Sequence, residues 1–414
     1  MADNAVERAT PRAAGAIIPD ARPSPGIPAF AVSAAGVILV ALTMRQAVAG
    51  VPPILTDLGL DPTQASLMVG IPVLCFSLGA LAGPALRARL GEEQAIFAVL
   101  VTLLSGLLLR AFWPSWALLP GTIMAGLSIA VLNVLLPSLV KRRFPNRIGV
   151  MMAAYTMAMA TGASLGSGLT VAVMRAAGGS VTAALGVWAI PAIVAVAAWL
   201  PQVRVHSRRG THAAQRRRIA VWRYPLAWHV LAFMGMQSLL YYGPLSWLPA
   251  IYRDRGIDAA QAGLLLMAYN GLGILGNLTA PIIAARLRDQ RPAVAASLSL
   301  TMIGLLGILL APDSTALVWV IIMGVAQGSS LSLALLLIVL RAPDPDTAAQ
   351  LSGMAQSGGY LIAASGPLLM GLIHGVTDSW TVPLLFLVTV AVLIWLPGMT
   401  AARTGYVGDG RPSS

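Results

Sequence analysis

The chain has 414 residues, of which 57% are hydrophobic and only 10% are charged, and its mean hydropathy is +0.79. An ordinary globular domain is about 25% charged and cannot bury so much apolar surface, so this composition excludes a soluble globular protein and favours one embedded in a bilayer. The net charge of +12 does not indicate nucleic-acid binding, because the 27 basic residues lie in short clusters between apolar runs rather than along one amphipathic surface.

Twelve apolar runs follow one another along the chain, and each is long enough for the roughly 20 residues that an α-helix needs to cross a bilayer. Residues 1–28 precede them, are rich in Ala, Pro and Arg, and are predicted to form a disordered cytoplasmic tail. We predict transmembrane helices near 29–55, 64–86, 95–113, 116–140, 148–174, 180–200, 226–251, 262–285, 293–311, 316–340, 351–374 and 380–399.

The distribution of basic residues predicts the orientation of these helices. If both termini are cytoplasmic, 22 of the 27 basic residues fall in inner loops and tails. One more, Arg45, lies within the first helix, and four fall in outer loops: Arg110, Arg175, Arg253 and Arg255. Because cytoplasmic loops of membrane proteins carry an excess of Lys and Arg, we predict a multi-pass protein with both termini in the cytoplasm.

Two short segments, 197 positions apart, repeat one pattern at the predicted outer side. Residues 57–65 read DLGLDPTQA and residues 254–262 read DRGIDAAQA, so five of nine letters agree. Each copy joins an odd-numbered helix to the next one, and its second aspartate, Asp61 or Asp258, stands where a helix N-cap is expected. The repeat indicates that the two halves of the chain share one fold and one orientation.

Six helices per half in the same orientation form a parallel repeat about an axis along the membrane normal. The two halves of major facilitator transporters are arranged in this way, with the substrate site between them near the membrane midplane. We therefore predict an all-α membrane protein with twelve transmembrane helices in two pseudo-symmetric six-helix bundles, the major facilitator fold. The bundles are predicted at 29–200 and 226–399, a basic cytoplasmic linker at 201–225 and a cytoplasmic tail at 400–414.

Arg45 is the one basic residue predicted to lie clearly within a transmembrane helix, in the sequence TMRQA. An isolated cation in a membrane costs at least about 2.5–3.5 kcal/mol, and no Asp or Glu is predicted deep within a span to neutralise it. One interpretation is that Arg45 faces a central cavity and binds an anionic or strongly dipolar solute. The other is that it bonds to helix carbonyls, or reaches an outer acidic residue such as Asp57.

Other polar and aromatic side chains are predicted at mid-membrane depth, on the helices expected to line the cavity. Amides and phenols can orient a small polar solute, and they also hydrogen-bond between helices. With Arg45, the predicted substrate-binding residues are Gln46, Asn133, Tyr155, Gln237, Tyr241, Tyr242, Trp247, Asn270, Gln327, Gln356 and Tyr360.

The sequence contains no pattern typical of a metal, nucleotide or catalytic site. No GxxxxGK[ST] phosphate-binding loop occurs, and the single cysteine, Cys75, is predicted to pack within an apolar run. We predict no catalytic residue, metal or cofactor, and no enzymatic activity. Three GxxxG patterns, which begin at Gly79, Gly162 and Gly324, are predicted to let pairs of helices approach closely.

Five stretches carry a resemblance to a known family: TMRQAVAGVPPIL, VLNVLLPSLVKRRFP, FMGMQSLLYYGPLSWLPAI, LIVLRAPD and LSGMAQSGGYL. Together they resemble the cyanate transporter and 2-nitroimidazole transporter family of the major facilitator superfamily, from about residue 30 to 399. The resemblance implies a bacterial inner-membrane secondary transporter for a small solute.

Two positions depart from the pattern that the resemblance implies. Arg45 matches the helix-1 arginine of the family, but Met44 and Gln46 flank it where many members have NLRP. In the loop between helices 2 and 3, Ala88 stands where the superfamily usually has an acidic residue before RxG. The usual charge lock of that loop therefore lacks its acidic member.

The expected function is transport of a small polar or anionic solute by alternating access. Arg45 is expected to bind the solute, and the orienting residues are expected to be Gln46, Asn133, Gln237, Tyr241 and Gln356. One alternative is efflux of drug-like aromatic compounds such as nitroimidazoles, and an alternative of another class is a membrane solute sensor. Uniport, anion exchange and symport in which the solute carries the proton all remain open. The expected partners are the solute and the lipid bilayer, and the protein is expected to be a monomer.

Overall fold

The computed structural model describes residues 27–49, 62–207 and 220–408. Most of the tail predicted at 1–28, the first outer repeat at 57–61 and the centre of the predicted linker lie outside the described residues. The described residues form fourteen α-helices: α1 (Ile27–Ala49), α2 (Pro62–Leu90), α3 (Glu92–Phe112), α4 (Pro114–Arg143), α5 (Ile148–Ala176), α6 (Val181–Gly186), α7 (Ala189–Ser207), α8 (Pro225–Asp254), α9 (Ala259–Arg286), α10 (Arg291–Leu310), α11 (Ala316–Leu340), α12 (Pro345–Thr377), α13 (Thr381–Leu393) and α14 (Trp395–Ala401).

These fourteen helices form the twelve predicted spans. Helices α6 and α7 together make the sixth span, and α13 and α14 make the twelfth. Within the described residues, nine spans are long and apolar enough to cross a membrane, and α1, α2 and α8 complete the set. Many large apolar side chains are exposed on the outer surface of the bundle, as a lipid environment requires. The predicted fold class is confirmed.

The helices pack in the same pairs in both halves. In the first half, α1 packs on α5, α2 on α4 and α3 on α4. In the second half the equivalent pairs are α8 with α12, α9 with α11 and α10 with α11. The halves meet through α2 against α12 and α5 against α9, which are also equivalent pairs. This packing is that of a two-fold pseudo-symmetric molecule with its interface between the halves.

The second outer repeat adopts the capped turn that the sequence predicts. The Oδ1 atom of Asp258 accepts a hydrogen bond from the backbone N–H of Gln261, 3.3 Å away, in the first turn of α9. In the sixth span, α7 continues to Ser207, into the segment predicted as linker. It does so because Gln202 is still packed there, and its Oε1 atom accepts a hydrogen bond of 2.6 Å from Arg143.

The sequence analysis placed Arg110 in an outer loop, and that prediction is wrong. The residue lies inside α3 and is fully buried, so Arg45 is not the one charged side chain within the spans. The reason is that α3 and α4 are separated by a single residue, so no loop is available to carry Arg110 to the surface. Its Cβ atom packs beside Gly121 of α4, where a larger residue would collide with it.

The GxxxG pattern of α11 brings two helix backbones into contact, as predicted. A Cβ atom on Gly324 would lie 2.4 Å from the carbonyl oxygen of Tyr269, and one on Gly328 would lie 2.0 Å from that of Gly273. Both carbonyls belong to α9. Because backbone atoms cannot move aside as a flexible side chain can, these glycines set the distance between α9 and α11.

We expect Gly328→Ala to destabilise the second half by about 1–3 kcal/mol, since overpacking forces backbone shifts. The matched control is Gly271→Ala on α9, where an added Cβ atom meets nothing within 4 Å and helix propensity improves by up to about 1 kcal/mol. Thermal unfolding of the purified protein in detergent measures both. Equal melting temperatures for the two variants would show that this contact does not limit stability.

Candidate functional site

Arg45 of α1 is half-buried between the two halves of the molecule. Its Nη1 atom donates a hydrogen bond to the hydroxyl oxygen of Tyr242 on α8, 3.4 Å away. Its guanidinium lies 5.5 Å from the ring centre of Phe76 on α2, and it interacts electrostatically with Tyr360 on α12. Within the described part of the chain, no carboxylate forms a salt bridge with Arg45. The surroundings of this cation are therefore aromatic and phenolic.

Tyr242 occupies the position of the second half that is equivalent to Arg45. The two residues are 197 positions apart, which is the offset of the outer repeat, and they lie on the first helix of each half. Equivalent residues of halves related by a two-fold axis can touch only close to that axis. The Arg45–Tyr242 hydrogen bond therefore marks the centre of the molecule, where both halves can contribute to one site.

A second layer of aromatic residues joins Tyr242 to α9. The rings of Tyr241 and Tyr242 meet edge to face with centres 5.1 Å apart, and Tyr241 stacks on Tyr269 at 5.7 Å. The hydroxyl of Tyr241 donates to Oδ1 of Asn270 at 2.9 Å. Asn270 thus holds the Tyr241 ring, and Tyr241 packs against Tyr242.

Asn133 of α4 connects this centre to both halves. Tyr155 of α5, which interacts electrostatically with Arg45, donates its hydroxyl hydrogen to Oδ1 of Asn133 at 2.9 Å. The Nε2 atom of Gln356 on α12 donates to the backbone oxygen of Asn133 at 2.8 Å and to Oγ of Ser352 at 2.7 Å. The structure therefore brings four of the predicted residues, from three helices of the first half and one of the second, into one connected group.

Trp247 and Gln327 hydrogen-bond to groups outside this centre. The indole N–H of Trp247 donates to the carbonyl oxygen of Pro367 at 2.9 Å, which ties α8 to α12 further along both helices. The Nε2 atom of Gln327 donates to Oγ1 of Thr301 on α10 at 3.4 Å. Their substrate contacts stay predictions, and the bonds they make here join helices of the second half.

Gln237 and Gln46 are both buried, with about 1% of their surface exposed. The Nε2 atom of Gln237 donates to the backbone oxygen of Met234 at 3.1 Å and to Oγ of Ser238 at 2.7 Å. No described group accepts a hydrogen bond from Nε2 of Gln46, the residue that follows Arg45. The donor of Gln46 is therefore unpaired among the described residues, whereas the donor of Gln237 is satisfied within its own helix.

Phe76 is the contact of Arg45 that sequence reasoning missed. It lies on α2, is 2% exposed, and its ring centre is 5.4 Å from that of Tyr360. A guanidinium over an aromatic face is stabilised by the quadrupole of the ring, so Phe76 holds Arg45 without any polar atom. A search for polar residues within spans passes over such a residue.

A second group of charged residues lies at one end of the bundle, which we call the basic end. It is formed by the end of α2, the start of α3, the end of α4 and the start of α12, and contains Arg87, Glu92, Glu93, Arg142, Arg143 and Asp346. Glu92 is buried and pairs with Nε of Arg142 at 2.9 Å, while Arg143 pairs with Glu93 at 2.9 Å. These ion pairs fix α3 against α4.

Arg87 of the basic end and the adjoining Lys141 of α4 reach across to the second half. Arg87 pairs with Asp346 at 3.1 Å, hydrogen-bonds to the carbonyl oxygen of Pro345, and lies 3.7 Å from Glu92. The Nζ atom of Lys141 donates to the carbonyl oxygen of Val339 at 2.8 Å. The basic end is therefore closed, and Arg87 forms a lock between the halves although the acidic residue is missing at position 88.

Comparison of this chain with known proteins agrees with the architecture described above. The sequence profile of the Major Facilitator Superfamily matches residues 33–367 and 245–404. The chain belongs to the major facilitator superfamily. It is therefore a multi-pass membrane transporter and not an enzyme, and its partners are a small-molecule substrate and membrane lipid.

Three relatives within the major facilitator superfamily cover most of the chain. An uncharacterized transporter of Bacillus subtilis (strain 168) is 37% identical over 90% of this chain and 94% of its own length. The 2-nitroimidazole transporter of Escherichia coli (strain K12) is 37% identical over 89% and 95%. The cyanate transport protein CynX of Escherichia coli (strain K12) is 28% identical over 83% and 90%. The resemblance predicted from the sequence is confirmed.

A solved structure of this superfamily has the same fold. The major facilitator transporter FucP, in its outward conformation, superposes with a TM-score of 0.71 over 91% of this chain and 99% of FucP, at 15% identity. At that identity the likeness concerns the fold.

Proposed function

We propose that this chain moves a small polar or anionic solute across the bacterial inner membrane by alternating access, and that Arg45 binds the solute. The observation that supports this proposal is the position of Arg45. The cation lies half-buried at the interface of the halves, and no described carboxylate neutralises it. A buried cation in low dielectric attracts an anion strongly, because water screens the pair little.

The residues around Arg45 suit a solute with a delocalised negative or electron-rich end. The guanidinium presents planar N–H donors, which match carboxylate-like and nitro-like oxygen atoms in pairs. The hydroxyl of Tyr242 already accepts from Arg45, so the phenol holds the cation in place when no solute is bound. The guanidinium lies over the ring of Phe76, whose centre is 5.4 Å from that of Tyr360, and aromatic rings of this kind favour a flat partner.

Alternating access is supported by the contacts that close the basic end. By the excess of Lys and Arg in cytoplasmic loops, the basic end faces the cytoplasm, and both termini of the chain lie there. The Arg87–Asp346 pair and the Lys141–Val339 hydrogen bond then close the path to the cytoplasm. Breaking these contacts lets the halves separate at this end and brings Arg45 into contact with the cytoplasm. A single chain supplies both halves of the site, which is consistent with a monomer as the working unit.

A second candidate function, efflux of nitro-aromatic compounds, is favoured by the ring of aromatic residues. Two of the relatives are named for cyanate and for 2-nitroimidazole, which are both small, conjugated and electron-rich at one end. Tyr241 stacks on Tyr269, and the rings of Phe76 and Tyr360 meet at a tilt, so the centre is rich in aromatic side chains. This aromatic character suits an aromatic solute better than a bare inorganic anion.

A competition assay separates the two candidates. Uptake of labelled 2-nitroimidazole into proteoliposomes is measured with unlabelled cyanate, formate or nitrobenzene as competitor, over a range of concentrations. Competition by cyanate and formate supports anion transport, and competition by nitrobenzene alone supports export of aromatic compounds. Failure of all four compounds to bind or move would contradict the proposed function. An imposed pH gradient, applied in the same vesicles, tests whether proton movement accompanies transport.

A further inference from the structure

The short segment that leads into α8 leaves two tryptophan rings on the surface of the molecule. Residues Val221–Arg223 form a 3₁₀ turn, which packs against α8 and against α12 of the basic end. Trp222 of this turn is 57% exposed, and Trp228, at the beginning of α8, is 53% exposed. Both rings lie at the entrance to the seventh span, where a tryptophan is expected to meet the boundary between water and lipid.

The two rings are held in place although they are exposed. The indole N–H of Trp228 donates to the backbone oxygen of Trp222 at 2.8 Å. The side chain of Val221 is buried, and its backbone oxygen accepts a hydrogen bond of 3.1 Å from the N–H of Tyr224. A surface that is fixed before a ligand arrives loses little conformational entropy when the ligand binds.

Arg223 adds a cation to this surface. The residue is exposed, and its guanidinium carbon lies 5.0 Å from the ring centre of Trp222. Stacking uses the flat face of a guanidinium, whereas the N–H groups that bind phosphate oxygens lie in its plane. Trp222 thus has a cation over its ring and a second exposed indole, that of Trp228, bonded to its backbone oxygen. We call Trp222, Arg223 and Trp228 the Trp–Arg patch.

The charge around the Trp–Arg patch is positive. Residues 94–253 contain no Asp or Glu, and residues 204–223 contain seven Arg. The acidic side chains at the start of α12 are engaged elsewhere, since Asp344 caps that helix and Asp346 pairs with Arg87. The partner that fits such a surface has a negative charge next to an apolar body.

We propose that the Trp–Arg patch is a binding site for an anionic phospholipid such as phosphatidylglycerol. Arg223 binds the phosphate group through its N–H donors. The exposed faces of Trp222 and Trp228 pack against the glycerol backbone and the first methylenes of the acyl chains. Indole rings suit this depth, because they combine an apolar body with a polar edge.

This lipid site is separate from the centre at Arg45. Trp228 precedes Tyr242, the partner of Arg45, by 14 residues on α8. That separation is roughly 21 Å along the helix at 1.5 Å per residue. The inference therefore does not depend on the proposed function of Arg45.

Native mass spectrometry of the purified full-length protein tests the proposal. The protein in detergent is titrated with phosphatidylglycerol or with phosphatidylcholine that has the same acyl chains, and the fraction with one bound lipid gives each affinity. We expect phosphatidylglycerol to bind about fivefold more tightly, the factor that one arginine contributes near an anionic lipid surface. Arg223→Gln should bind the two lipids equally.

A second variant separates the apolar contacts from the charge. Trp222→Ala combined with Trp228→Ala should weaken the binding of both lipids about fivefold or more, because both lose the same apolar area. The preference for phosphatidylglycerol should remain, since Arg223 is still present. Binding of either lipid at full strength to this variant would show that the indoles do not contact it.

Two control variants have matched exposure. Arg288→Gln removes an exposed arginine between α9 and α10, at the same end of the bundle. Trp116→Ala removes a 62% exposed indole at the start of α4, at the opposite end. Both variants should keep the fivefold preference. Loss of the preference in Arg288→Gln would overturn the proposal, because it would show diffuse attraction by the basic end without a site.

Other outcomes also contradict the proposal. Equal binding of the two lipids to the unchanged protein would do so, as would an undiminished preference in Arg223→Gln. Glycerophosphoglycerol, the headgroup without acyl chains, distinguishes a lipid from a soluble phosphate ester. It should fail to displace phosphatidylglycerol, and displacement at equal concentration would show that the Trp–Arg patch binds a soluble anion instead.

Discussion

Arg45→Ala is expected to abolish solute binding and transport while the protein still inserts and folds. Removing one partner of a desolvated, hydrogen-bonded charge pair costs about 2–5 kcal/mol, which corresponds to roughly 30-fold or more in affinity. Without the guanidinium, Tyr242 and Tyr360 offer only neutral hydroxyls to a solute, and Phe76 loses its cation. Uptake of labelled solute into proteoliposomes, normalised to the amount of reconstituted protein, measures the loss.

Two further variants sharpen the Arg45 experiment. Arg286→Ala removes an exposed arginine at the end of α9, so its transport should stay within about twofold of the unchanged protein. In the exchange variant, Arg45→Tyr combined with Tyr242→Arg, the guanidinium stays near the axis but comes from the other half. We expect this variant to regain part of the transport that Arg45→Ala loses. Full transport by Arg45→Ala alone would remove Arg45 from the mechanism.

Arg87→Ala is expected to open the basic end of the molecule. The variant loses the ion pair to Asp346 and the hydrogen bond to the carbonyl of Pro345. The side chain of Asp346 is 56% exposed, so solvent screens this pair to about 0–1 kcal/mol, and a hydrogen bond from a charged donor adds about 1.5–3 kcal/mol. A loss of about 1.4 kcal/mol already changes the ratio of closed to open molecules roughly tenfold.

Spin labels at the basic end can measure this change. Cys75 is the single cysteine and is replaced by Ser, and labels are attached to cysteines at the exposed positions Asn146 and Arg403, one in each half. The population at long label-to-label distance should grow in Arg87→Ala. Arg87→Asp combined with Asp346→Arg restores the pair with its charges exchanged, and should return the distances toward those of the unchanged protein. A distance distribution that is the same in all variants would show that Arg87 does not hold the halves together.

The twelve spans could be predicted from the sequence because bilayer thickness sets the length of each apolar run. The breaks in two of the spans could not, since hydropathy stays high through them. Helix α6 ends at Gly186 and α7 begins at Ala189, inside one apolar run, and α13 gives way to α14 at Ile394 in the same manner. The hydropathy of a residue indicates whether it favours a lipid environment. It does not indicate where helical hydrogen bonds are lost locally.

The chemical character of the site could be predicted in part. A cation within a span is so unfavourable that Arg45 stands out, and the sequence also indicated its phenolic neighbours. It could not tell whether Tyr241 or Tyr242 meets Arg45, because neighbours on a helix point about 100° apart and the rotation of α8 is set by packing. Phe76 could not be found, since its contact with Arg45 uses only the face of a hydrocarbon ring.

Distance from a helix end is a poor guide to burial, and Arg110 demonstrates this. It lies two residues from the end of α3, where a loop was expected, and yet is fully buried. The ion pair between Arg87 and Asp346 could not be predicted either, because the two residues are 259 positions apart in the sequence. The repeat offset of 197, by contrast, was visible in the sequence and would have paired Arg45 with Tyr242 had it been applied to the first helix of each half.

The contact between residues 45 and 242 has a consequence for how such a chain can arise by gene duplication. Two identical copies would bring the same residue face to face at this point, and two guanidiniums at hydrogen-bond distance would repel each other without water to separate them. A pair of tyrosines can share that place, and so can one arginine with one tyrosine. Once the two copies can mutate independently, as they can in a fused gene, one half can carry the arginine and the other the tyrosine, which a dimer of identical chains cannot do.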